Sequence, residues 1–216
     1  MYLPKHFEQQ DAAAMAQLLQ LHPLATVAWQ SAGGLTAEHL PLMWDRGAGD
    51  GVHGTLRGHV ARANPVWREA AGAHVLAVFQ GPQAYITPSW YTSKAETAKV
   101  VPTWNYAVVH LNGRLRITED AAWLRTLVER LTDTHEASRA QRWQVDDAPA
   151  DYIEQMLRAI VGIEIEVTRL QGKWKVSQNR SASDRAGVAA GLTSLERDAA
   201  RAMSMLVSAS DGSGTS

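Results

Sequence analysis

No cysteine occurs among the 216 residues. Disulfides, thiolate metal sites and cysteine nucleophiles are thereby excluded. No apolar run approaches the ~20 residues that a membrane-crossing helix needs. The opening Met1-Tyr2-Leu3-Pro4-Lys5-His6 lacks the layout of a secretory leader, so a cytoplasmic protein with no membrane partner is expected. Excess charge of one sign is missing too. Lys and Arg number 21 against 22 Asp and Glu, a formal net charge of −1, so no global positive field draws the chain to nucleic acid. Neither a GxSxG elbow nor a Rossmann fingerprint is present, and no nucleophile stands beside an obvious base. The histidines, His39, His53, His59, His110 and His135 among them, form no HxH or HExxH ligand pair, which leaves them surface or hydrogen-bonding roles and implies no metal. There is no helix-turn-helix, zinc finger or basic helix.

What is present is an ordinary globular balance, 45% hydrophobic and 20% charged residues, enough for one sizeable core without forcing a second domain. The spacing of Met15, Leu18 and Leu19 predicts a helix from Asp11 to Leu21, with Asp11 as N-cap and Pro23 as stop. Strand signals follow. Residues 24–30 and 35–44 flank Ser31-Ala32-Gly33-Gly34 as a hairpin, and a glycine-rich turn at 47–51 leads into a strand at 52–56. Residues 73–80 and 83–87 flank Gly81-Pro82. Asn112-Gly113, between 107–111 and 114–117, has the composition of a type I′ turn. A last strand at 162–170 alternates, with Ile163, Ile165 and Val167 on one side and Glu164, Glu166 and Thr168 on the other.

Helical spacing marks Leu124, Leu127, Val128 and Leu131, then Ile153, Met156, Leu157 and Ile160, the latter opened by Asp147 and Pro149. Two further helices are expected at 184–192 and 194–207. The fold class implied is mainly β with peripheral helices (α+β): about eight short strands in a small barrel occupying 1–192, a C-terminal helix over 193–207, and a disordered tail at 208–216.

Three segments could carry chemistry. The stretch from Gly54 to Pro65 reads as a strand running into a short helix, where Thr55, Arg57, His59 and Arg62 could present donors to a phosphate or could be solvated corner residues. Trp90, Tyr91, Trp104 and Tyr106 could wall a planar heterocycle or a subunit interface, or pack in the core. The polar run Lys173 to Arg180 could bind an anion or a partner, or serve as a surface connection.

Six collinear segments carry a family resemblance: MYLPKHF at the start, GHVARANPVW at 58–67, VFQGPQAYITPSWY at 78–91, VPTWNY at 101–106, IVGIEIEV at 160–167 and KVSQNRSASDRAGVAAGL at 175–192. Together they resemble the PaiB-type FMN-binding negative transcriptional regulators. The resemblance implies an FMN-binding split β-barrel related to the pyridoxine-phosphate-oxidase-like flavoproteins, as a homodimer with FMN near the subunit interface. It places the FMN phosphate at Thr55, Arg57, Gly58, His59 and Arg62, ahead of Asn64-Pro65. It lays the flavin along His39 and Leu40, brings Trp104 and Asn105 to the ring, and closes the site with Ser177, Gln178, Asn179 and Arg180. The superfamily's Ser-Arg-Lys element corresponds here to Thr55-Leu56-Arg57, without the lysine, which lowers the expected retention of FMN. Repression, direct on DNA or through a protein partner, is the function implied. An FMN-dependent oxidoreductase and a flavin-holding binding module are the alternatives.

Overall fold

The computed structural model describes residues 1–47 and 52–210. Eight strands and seven α-helices are assigned within these residues: β1 Glu8–Gln9, α1 Ala12–Leu21, β2 Leu24–Ser31, β3 Gly34–Pro41, β4 Met43–Asp45, β5 Thr55–Ala61, α2 Val66–Glu69, β6 His74–Ile86, α3 Ser93–Thr97, β7 Thr103–Thr118, α4 Ala121–Glu136, α5 Ala150–Arg158, β8 Ile160–Lys175, α6 Ala182–Thr193 and α7 Asp198–Ala209. The sheet order is β3-β2-β6-β7-β8-β5-β4, with β1 paired off this path against β8. The pairings of β1 with β8, β2 with β3 and β6, and β5 with β4 and β8 are antiparallel.

The chain divides into two compact units. One holds Met1–Leu21, Gln80–Val109 and the chain from Gln171 onward; the other holds His22–Phe79 and His110–Leu170. In the second, the alternation legible at 162–170 buries Ile163, Ile165 and Val167 completely. Glu164 and Glu166 stay at the partly wet face, where each meets an arginine. Asp120 caps α4 by accepting the Trp123 N–H at 2.7 Å, and Leu124 and Leu127 turn inward. In the first unit, Met15, Leu18 and Leu19 form the buried face of α1. Val188 and Leu192 of α6 and Met203 and Val207 of α7 are fully buried, and the Ser204 hydroxyl donates to the Ala189 carbonyl at 2.9 Å.

Five sequence expectations are corrected here. Asn112-Gly113 makes no hairpin: β7 runs straight through it, and neither residue has the positive φ that a type I′ turn requires. The glycine instead serves close approach, since a Cβ at 113 would lie 2.2 Å from the Glu166 carbonyl oxygen. Gly81-Pro82 likewise lies within the continuous β6, where a Cβ at 81 would stand 2.8 Å from Leu18. The expected strand 35–44 breaks at Leu42, whose N–H turns to the Pro23 carbonyl at 2.9 Å while its side chain is buried. Residues 57–61, expected to bend into a helix, extend β5 and pair with β8 from Arg57↔Glu164 to Ala61↔Ile160, so the helix begins only at Val66. Finally, Ser208 and Ala209 close α7 rather than opening a tail. The rest of the expected tail (211–216) and most of the glycine-rich turn (48–51) lie outside the described residues.

Candidate functional site

In the first unit, the start of β7 and the end of β8 bring together the aromatic and polar residues singled out in the sequence. Successive strand residues point to opposite sides. Lys175 donates to the Trp104 carbonyl at 2.8 Å and to the Thr103 hydroxyl. Lys173 sets its ammonium 5.4 Å from the centre of the Tyr106 ring and 5.6 Å from that of Tyr2, and donates to the Tyr2 carbonyl at 3.0 Å. Asn105, between these aromatics, is buried and donates its amide to the Ser177 hydroxyl at 2.9 Å.

Ser177 is itself buried and holds φ at +67°, a left-handed conformation that a non-glycine residue adopts at a cost. The turn around it is tied from three directions. The Gln178 carboxamide accepts the Val176 N–H at 2.8 Å and donates to the Trp174 carbonyl, and the Arg180 N–H returns to the Ser177 carbonyl at 2.9 Å. Asn179 is exposed. The Arg180 guanidinium lies 4.7 Å over the Tyr91 ring. Burial pushes the Tyr91 phenol up from its ordinary range, against the opposing pull of Arg180. The surface-connection reading therefore fails for Lys173, Trp174, Val176 and Ser177, all of which are buried.

The turn leads into α6, where Ser181 caps the Asp184 N–H at 3.2 Å. The Asp184 carboxylate accepts the Thr92 hydroxyl at 3.1 Å, the Ser93 N–H at 3.0 Å and the Ser93 hydroxyl at 2.8 Å. Burial opposes its charge, yet the Ser93 and Thr92 hydrogen bonds, with Arg180 nearby, hold its pKa below the ordinary aspartate value. Trp90 packs on the same helix, where a Cβ at Gly187 would lie 2.1 Å from its carbonyl oxygen. Trp104 remains half exposed; its indole N–H donates to Gln83 at 3.0 Å and its ring meets Tyr85 edge-on at 6.1 Å.

The other candidates, His39, Leu40, Thr55, Arg57, Gly58, His59 and Arg62, belong to the second unit. His39 is exposed on β3, while Leu40 and Thr55 are buried. Gly58 and His59 pair with Ile163 and Gly162 of β8. Arg57 spans Glu164 at 2.8 Å and Asp45 at 3.2 Å, and Asp45 also receives Arg130 at 3.2 Å. Arg62 pairs with Glu119 and donates to the Arg158 and Ile160 carbonyls at 2.9 and 3.2 Å. Asn64, of the Asn-Pro element, accepts the Val66 N–H and donates to Glu38, each at 3.0 Å. Burial lowers the His59 pKa, and its Nδ1 has no hydrogen-bond partner among the described residues. Both arginines expected to receive a phosphate thus already hold carboxylates.

Sequence reasoning left Lys173 and Lys175 between anion binding and surface connection, and passed over Asp184. Carrying the β8 alternation five residues past Leu170 would have placed the two lysines on one side of the strand. Nothing in the local sequence marks the Asp184 contacts, which reach back 91 and 92 residues. Among the described residues no group of three or more His, Asp or Glu could hold a metal ion, and no helix is long and apolar enough to cross a membrane.

A mainly antiparallel sheet of this order, carrying helices before, within and after it, has the fold of the split β-barrels. The FAD and heme binding protein from Mycobacterium smegmatis has this fold, with a TM-score of 0.57 at 16% identity, covering 77% of this chain and 72% of that one. Residues 1–169 match the family described as "Putative FMN-binding domain", and the chain belongs to that family. It is 35% identical over 211 residues to "Protease synthase and sporulation protein PAI 2" of Bacillus subtilis, covering 96% of each chain. It is 34% identical over 241 residues to an uncharacterized protein of Emericella nidulans, again covering 96% of each. The PaiB-type resemblance carried by the six segments is therefore correct. The end of β8, the turn and the last two helices lie beyond the family match.

Proposed function

We propose that the chain binds FMN through Trp104, Asn105 and the Ser177–Arg180 turn, and that it acts as a homodimeric negative regulator of transcription. The observation carrying the binding site is the buried Asn105–Ser177 hydrogen bond under a strained serine, in a chain whose residues 1–169 match an FMN-binding family. Left-handed non-glycine residues persist where surrounding structure over-determines them, and they cluster at ligand sites. The donor set fits a flavin nucleotide. Trp104 and Tyr85 offer half-exposed rings to a planar heterocycle, the exposed Asn179 offers an amide group to its edge, and Lys175 and Arg180 offer positive charge to its phosphate. A bound flavin would supply redox chemistry; these residues would hold it, orient it and keep water from its buried edge. Titrating flavin-free protein with FMN while following flavin fluorescence tests the site: saturable quenching supports it, and linear fluorescence contradicts it.

The regulatory reading is supported by the Bacillus subtilis relative, whose name ties that protein to protease synthesis and sporulation. With a net charge of −1, the chain is expected to bind DNA weakly unless a partner assists. A gel shift against the DNA upstream of its own gene, repeated over a salt series, separates direct from indirect action. NADH or NADPH oxidation by flavin-loaded protein, with no shift at any salt, would favour the oxidoreductase alternative.

For the oligomer, the expected light-scattering mass is twice the 23.6 kDa of one chain across the micromolar range. Half-exposed Tyr85 and Trp104 and exposed Val101 offer aromatic and apolar surface suited to a partner. A constant mass of one chain would contradict the dimer.

A further inference from the structure

We propose that Lys175 and Arg180, backed by Lys173, form the seat of the phosphate monoester of the flavin, a role the family resemblance gives to Thr55, Arg57, Gly58, His59 and Arg62. The proposal rests on the FMN reading above and names the groups that meet its dianion.

The first reason is charge left unanswered. Among the described residues, none of the three cations has a carboxylate within ion-pair distance, whereas Arg57 holds Glu164 and Asp45 and Arg62 holds Glu119. The acid close to Arg180 is Asp184, and its oxygens are already taken by Thr92 and Ser93. A phosphate arriving at Arg57 would have to displace two carboxylates; at Lys175 it displaces none.

The second reason is placement. Lys173 and Lys175 stand two residues apart on β8 and reach Tyr106 and Trp104, two residues apart on β7. They therefore share one side of the strand pair. Arg180 follows across the turn that Asn105, Ser177 and Gln178 tie down, so its position relative to the strand end is fixed rather than averaged. Lys173 is covered by Tyr2 and contributes its field, not a contact. Lys175 spends two of its three donors on Thr103 and Trp104, leaving one for an incoming oxygen. The Arg180 guanidinium lies over Tyr91, 4.7 Å from the ring centre, and its fork of donors suits a phosphate.

The third reason is mutual repulsion. Burial, then Lys173 and Arg180, push the Lys175 pKa below the ordinary lysine value. Like charges crowded this way are relieved by a dianion between them. The left-handed Ser177 lies in the turn between Lys175 and Arg180, where strain marks a conformation the surroundings over-determine.

The experiment compares full-length wild type with Lys175→Met, Arg180→Met, Lys175→Arg and Arg57→Met, each stripped of flavin, melted, and titrated with FMN and with riboflavin. Lys175→Met and Arg180→Met are each expected to weaken FMN about tenfold or more and riboflavin less than about twofold, because riboflavin has no phosphate to lose. Lys175→Arg keeps the charge and most of the FMN affinity, which separates loss of charge from loss of fold. Inorganic phosphate should compete with FMN on wild type and leave riboflavin untouched. Equal losses for both flavins, or unchanged FMN affinity in both methionine variants, would overturn the assignment. So would a loss confined to FMN in Arg57→Met. If wild type binds neither flavin, the FMN reading itself fails. The seat is then judged by inorganic phosphate alone: a rise in melting temperature for wild type but not for Lys175→Met supports an anion site, and no rise in either rejects it.

Discussion

Gly113→Ala is expected to destabilise the protein by about 3 kcal/mol or more, the upper range for forcing atoms into a filled space. The new methyl group would sit 2.2 Å from the Glu166 carbonyl oxygen and 2.7 Å from the Ile165 side chain. Its obstacle is strand backbone, which cannot swing aside as a flexible side-chain end can. For a chain of this size the change corresponds to a fall in melting temperature of about 6–12 °C. A type I′ turn predicts something else, because alanine at an exposed left-handed position costs only about 1 kcal/mol. Thermal or urea unfolding of the variant thus decides between the continuous strand and the hairpin.

Asp184→Ala is expected to cost about 2–4 kcal/mol, because hydrogen bonds to a charged acceptor are worth ~1.5–3 kcal/mol each and the exposed Thr92 hydroxyl can turn to water. The buried carboxylate ties the Thr92–Ser93 corner to the first turn of α6, where a negative charge also meets the positive end of the helix. The effect has a pH signature. Its folded pKa lies below the ordinary aspartate value, so the stabilisation is fully present above the unfolded pKa of about 3.9 and is lost as pH falls through the folded value. Asp184→Asn lacks that limb, so its deficit against wild type should shrink as pH falls below about 4. A deficit independent of pH from 7 down to 2 would show that the carboxylate's charge is not what holds the corner.

Local periodicity made much of this fold legible. Ile163, Ile165 and Val167 announced a strand wet on one side, and Leu124, Leu127, Val128 and Leu131 announced a helix, because both patterns complete themselves within a few residues. What escaped was set by partners distant in sequence. Asn112-Gly113 and Gly81-Pro82 look like turns because glycine permits a turn, but Gly113 is required by the Glu166 backbone, and Gly81 lies close under Leu18. Arg57 looked like a phosphate ligand because a guanidinium near an Asn-Pro suits one. Its occupation by Asp45 and Glu164 depends on pairing with β4 and β8, which no local motif displays. The segment from Ser177 to Arg180 was chosen by resemblance, not by spacing; of its residues Ser177 alone is buried, against Asn105. Lys173 and Lys175 stayed undecided between an anion site and a surface connection because a basic pair after an apolar strand usually marks a solvated exit.

The central claim is that this chain holds FMN at the strand ends and turn around Asn105 and Ser177. The most direct measurement is the visible absorbance of purified protein after loading with FMN and desalting, for wild type and Asn105→Ala. Wild type should keep close to one flavin per chain, while Asn105→Ala, which removes the side-chain bond to Ser177 and frees the strained turn, should lose most of it yet still melt cooperatively. Flavin leaving wild type completely, or remaining equally on both proteins, would contradict the account.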